Sequence, residues 1–175
     1  MKKILAMIMV LCLLVCAAAC GNNSDGNTFD NSTTTGTAPV NPTVSVKPDD
    51  VMLMFLVINN GTTDGSNPMV AKNTTDKAVM QSVIDIINAA EKTPCTRDIT
   101  KDPSTGAIIP SSTVVGVRFN VGSDSVNYFV TDTNGVYTIA IGGYRYELSA
   151  DTAAQVKAQI GTIYAGIESA EQAWS

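Results

Sequence analysis

The chain has 175 residues, with 11 Lys+Arg against 16 Asp+Glu, 45% hydrophobic residues and no His. The missing His excludes Ser-His-Asp and Cys-His catalysis and every His-ligated zinc site. A formal charge of −5 gives no electrostatic basis for binding nucleic acid, whose phosphates demand clusters of Lys and Arg.

The N-terminus reads as an export signal. Met1-Lys2-Lys3 is a positive start, Ile4 to Cys16 is an unbroken apolar run, and Ala17-Ala18-Ala19 places small side chains before Cys20. Polar residues follow at once from Gly21. An uncleaved membrane helix is the alternative, but Ile4 to Cys20 is at the short end for a bilayer span and no basic stop-transfer cluster follows. Small residues directly before a Cys resemble the lipobox of bacterial lipoproteins, with Ala17 where that family usually carries Leu. The resemblance implies cleavage after Ala19 and lipidation of the Cys20 thiol, which anchors the protein in the cell membrane on its extracytoplasmic face. Two acyl chains hold a protein on a bilayer stably where one does not. Cys12 and Cys16 then leave with the signal, and Cys95 remains without an intramolecular disulfide partner.

Three regions follow: a signal peptide over 1–19, the lipidated Cys and a disordered tether over 20–48, and one domain over 49–175. The tether is rich in Asn, Ser, Thr, Gly and Asp and has too little apolar surface to offset its ordering entropy. As a random coil its 28 residues after Cys20 span about 30 Å.

Within the domain, Val51 to Ile58 is a continuous apolar run ended by Asn59-Asn60-Gly61, expected as a strand buried on both faces. Gly61 to Asn73 reads as loop. Thr74 or Thr75 is positioned to cap a helix, with Asp76 at its positive end, and Val79, Met80, Val83, Ile84, Ile87 and Ala90 follow helical spacing. Residues 95–112 are irregular, with a small hairpin turning at Asp102 to Gly106. Period two then takes over: Val115, Val117, Phe119 and Val121; Val126, Tyr128 and Val130; Val136 to Ile141; and Tyr144 to Leu148. Asp132-Thr133-Asn134-Gly135 and Gly142-Gly143 are tight-turn signals between them. A last helix starts at Ser149 or Asp151 and presents Ala153, Val156, Ile160 and Ile163 on one face.

The expected fold is α+β: a four- to five-stranded antiparallel sheet with two helices packed on one face, in the order β-α-β-β-β-β-α. This order, with the helix start Thr74-Thr75-Asp76-Lys77-Ala78-Val79, resembles small domains of uncharacterised function in Gram-positive lipoproteins. The resemblance carries no known chemistry.

Each catalytic candidate has a simpler structural reading. Asp132 to Gly135 resembles part of a calcium loop, but Val130 stands at the first ligand position and Ile141 at the twelfth, so it reads as a turn. Asp98 and Asp102, or Asp49-Asp50, are carboxylates of the kind a glycosidase pairs, yet they sit among turn residues. Cys95 has no His to activate it, and Arg97, two residues away, is expected to lower its pKa only weakly. Arg145 and Glu147 share a strand face and are expected to form a surface ion pair. Trp174, next to the C-terminus, is a packing or partner-binding residue.

No cofactor or metal is expected. The helix-free sheet face is the candidate binding surface, carrying Arg118, Asn120, Asn127, Phe129, Arg145 and Glu147, a polar and aromatic mixture suited to recognition. The function expected is a non-enzymatic binding module of the cell envelope for a protein, peptide or glycan. The alternatives are a carboxylate-based hydrolase acting on envelope polymers and an accessory or inhibitory subunit of a membrane protein.

Overall fold

The computed structural model describes residues 38–59 and 70–168 and the backbone of 172–173. Cys20, the signal peptide, most of the tether, residues 60–69 and Trp174 lie outside the described residues.

The strands are β1 (Val51–Ile58), β2 (Val70–Thr74), β3 (Thr93–Pro94), β4 (Ser112–Val121), β5 (Asp124–Thr133), β6 (Val136–Ile141), β7 (Tyr144–Leu148) and β8 (Gln172–Ala173). The helices are α1 (Lys77–Ala89) and α2 (Ala150–Gly166). Among the described residues all strands join one antiparallel sheet in the order β3-β7-β6-β5-β4-β1-β2-β8: seven strands, with the two-residue β8 added outside β2. The α+β class and the two helices agree with the sequence reading, but the sheet is larger than four to five strands. Val70–Thr74, read as loop, is a strand on β1, with Val57 opposite Ala71 and Met54 opposite Thr74. Its Lys72 and Asn73 break the apolar alternation by which a strand is recognised. No described helix is long and apolar enough to cross a membrane.

The meander forms where its local chemistry dictates. Asn134 takes φ 52° and Gly135 φ 83°, the left-handed pair a two-residue hairpin requires, and Gly135 N–H donates to Asp132 Oδ1 at 2.7 Å. Helix α1 is capped by Asp76, whose carboxylate accepts from Ala78 N at 2.8 Å and Val79 N at 3.3 Å; Thr74 belongs to β2 instead, and its hydroxyl accepts from Asp76 N. Helix α2 is capped by Ser149, which accepts from Thr152 N at 3.0 Å.

Both helices cover the same sheet face. Met80, Val83, Ile84 and Ile87 of α1 and Ala153, Val156 and Ile160 of α2 share one cluster with Met54, Leu56, Val117, Phe119, Tyr128, Ile139 and Tyr146. Each fully buried large side chain contributes about 1.5–3 kcal/mol, so this single core dominates folding.

Residues 38–47, assigned from sequence to the tether, lie against the domain. Val44 is buried in the core, and its N–H donates to Asn88 Oδ1 at 2.7 Å, near the end of α1. Strand β1 also departs from burial on both faces: its register slips between Val51 and Leu53, which leaves Met52 60% exposed.

Candidate functional site

The register places all six candidate residues on the face opposite the helices, in rows that cross several strands. One row runs Asn73–Phe55–Arg118–Asn127 over β2, β1, β4 and β5, and Arg118 Nε donates to Asn127 Oδ1 at 3.0 Å. The adjacent row is Ala71–Val57–Gly116–Phe129. Asn120 stands between Leu53 and Ser125. Toward the other edge, Thr131, Thr138, Glu147 and Thr93 face one another in turn, and Arg145 is opposite Ala140. Phe55 and Asn73 belong to this surface and were not foreseen, Phe55 because its run reads as uniformly buried and Asn73 because its segment reads as loop.

All six are half-buried. Beneath them Val57 and Thr138 are almost wholly buried, so this face is a packed layer with polar groups set into it. Thr131 and Thr138 share a hydroxyl hydrogen bond of 3.0 Å.

The expected Arg145–Glu147 ion pair does not form. Glu147 instead takes two parallel bonds from the Arg97 guanidinium, Nε to Oε1 and Nη2 to Oε2, each 3.1 Å. A guanidinium fork matches a carboxylate edge to edge, and Arg97 reaches it because Cys95 N–H continues the β3–β7 ladder onto Arg145 O at 2.9 Å. The bond from Arg97 holds the Glu147 carboxyl below its ordinary pKa.

Cys95 lies beside this pair and is not activated by it. Burial raises the thiol's pKa and Glu147 adds to the rise; its Sγ donates to Arg97 O at 3.3 Å. The sequence expectation that Arg97 lowers it fails because the Arg97 charge is turned onto Glu147.

The loop carboxylates serve their own backbone. Asp98 Oδ1 accepts from the Thr100 amide and hydroxyl. Asp102 Oδ1 accepts from Ser104 N, Ser104 Oγ and Thr105 N, and these bonds lower its pKa to about 2. A general acid must hold a proton near neutral pH, and Asp102 does not. Among the described residues no three His, Cys, Asp or Glu side chains gather as a metal site.

A cleft of about 420 Å³ separates residues 40–43 from 88–93. Lys92 stands in its wall, and its ammonium donates to Ile87 O, Asn88 O and Ala90 O at 2.6, 3.2 and 2.6 Å. It terminates α1 by satisfying the carbonyls a helix end leaves open.

Comparison with known proteins finds no family model, no curated protein and no solved structure that matches this chain.

Proposed function

We propose that this chain is a bacterial lipoprotein, anchored through Cys20 on the extracytoplasmic face of the cell membrane, whose α+β domain is a non-enzymatic binding module of the envelope. The observation that carries the address is the apolar run Ile4 to Cys16 followed by Ala17-Ala18-Ala19-Cys20. Binding rather than catalysis is supported by what the reactive groups are occupied with. Asp98 and Asp102 cap turns, Cys95 is held as a thiol, and Glu147 is paired with Arg97. The polar and aromatic rows on the helix-free face suit recognition of a protein, peptide or glycan.

Growth in radiolabelled palmitate tests the address: label enters the wild-type chain and is lost in Cys20→Ala. An unlabelled protein that fractionates with the cytosol removes the reading. Glycan arrays and pull-down from envelope extracts, repeated with Arg118→Ala and Phe129→Ala, test the module. Turnover of an envelope polymer by the domain would transfer the case to the hydrolase.

A further inference from the structure

Residues 98–109 form a hairpin held by its own hydrogen bonds. Asp102 N donates to Ala107 O, Gly106 N to Asp102 O and Ile109 N to Thr100 O, each at 2.8 Å, and the Asp98 and Asp102 carboxylates lock its bends. Ile99 near its root is buried, and the Arg97–Glu147 pair ties that root to the sheet. The hairpin displays Ile108 at 81% exposure, with Lys101 directly across the bridge. The two bonds flanking that pair make it the closely spaced kind, so the isoleucine and the lysine stem lie side by side.

The chain enters the domain at the same edge. Val40 and Thr93 line one cleft, Thr93 pairs with Glu147, and Glu147 holds Arg97 at the hairpin root. Only 17 residues separate Cys20 from Ala38, a reach of at most about 60 Å even when fully extended.

We propose that the Ile108–Lys101 pair of this hairpin is a membrane contact: it seats in the headgroup layer of the bilayer that holds the anchor and turns the β3/β7 edge toward the membrane. The proposal rests on the lipid-anchor reading. One isoleucine among Pro103, Ser104, Thr105 and Gly106 is far too small for the roughly 800 Å² per partner of a stable protein interface. It suffices for lipid, because the anchor already holds the domain at the bilayer and the burial of one apolar side chain then has only to bias the domain's orientation. The hairpin's internal hydrogen bonds lower the ordering cost. Lys101 keeps its charge at the headgroups while its stem lies beside Ile108, and Asp98 and Asp102 offset its pull, so the apolar side chain leads and salt has little effect.

The test uses full-length lipidated protein reconstituted into phosphatidylethanolamine–phosphatidylglycerol vesicles containing brominated lipid. Ile108→Trp and, separately, Met52→Trp are made with Trp174→Phe, each checked for an unchanged unfolding midpoint. The expected result is a blue-shifted, bromine-quenched emission at position 108 and neither change at position 52, with Ala107→Trp behaving like position 108. Unquenched emission at 108 in protein that floats with the vesicles overturns this proposal and leaves the anchor standing, as does equal quenching at 52 and 108. Protein that does not float overturns both.

Discussion

Val57 lies over the bare Cα of Gly116, its partner across the β1–β4 ladder: a Cβ at position 116 would stand 2.5 Å from Val57 Cγ1 and 3.2 Å from the Phe129 ring. Gly116 is a hole in β4 that two neighbours fill, so even one methyl overpacks the layer. Gly116→Ala is expected to cost about 1–3 kcal/mol. Urea unfolding checks it: the midpoint falls while the slope is retained.

Tyr146 carries a buried hydroxyl with no hydrogen-bond partner among the described residues, although its ring is wholly enclosed. An unpaired buried hydroxyl costs about 1–3 kcal/mol of desolvation. Tyr146→Phe removes the oxygen and keeps the packing, so a thermal midpoint equal to or above the wild-type value is expected. A clear fall would reveal a partner for the oxygen.

Asp76 is the cap that starts α1. Asp76→Ala is expected to cost about 1 kcal/mol, and Asp76→Ser to restore most of it. Equal losses in chemical denaturation for both variants would contradict the capping role.

The hairpin that bears Ile108 is acid-sensitive in a defined window. Asp102 has a folded pKa of about 2 against an ordinary 3.8, because three hydrogen bonds favour its ionised form. A depressed carboxyl pKa stabilises the fold above the unfolded value, and that contribution is lost as pH falls through the folded one. The turn therefore persists down to about pH 4 and opens between about pH 4 and 2. Asp98, held down by its bonds to Thr100, shifts in the same direction. Carboxyl and Ser104 amide shifts in NMR should titrate together near the lower value; a midpoint near 4 contradicts the bonding.

The Arg97–Glu147 pair is solvent-exposed on the Arg97 side and is expected to contribute little to stability. Its effect is positional. Arg97→Ala should leave the unfolding midpoint within a few degrees of wild type while amide exchange at Thr100 and Ile109 accelerates, because the hairpin root is released.

What was legible in the sequence was local. The β4–β7 meander follows from period two with Asn134-Gly135 between its strands, and α1 from its apolar spacing, because each is decided within a dozen residues. That parity also placed Arg118, Asn127, Phe129, Arg145 and Glu147 on one face. What was not legible depends on distant partners. Glu147 chose Arg97 over Arg145, two positions away, because β3 carries Arg97 alongside β7. Val44 reads as spacer until Asn88 accepts its amide. Lys72 disguises a strand whose alternation would otherwise be visible: its ammonium lies 4.9 Å from the Tyr164 ring centre and donates to Ile167 O, contacts that only the folded C-terminal helix supplies.

The placing of β1 between β2 and β4 also sets an order of events. Its most extensive neighbour, β4, begins about sixty residues downstream, so during synthesis this wholly apolar octapeptide emerges long before the strand that will sequester it. Until Ser112–Val121 arrives, Val51–Ile58 is a sticky, uncharged segment, and slowing the supply of the later strands should increase aggregation without altering the finished fold.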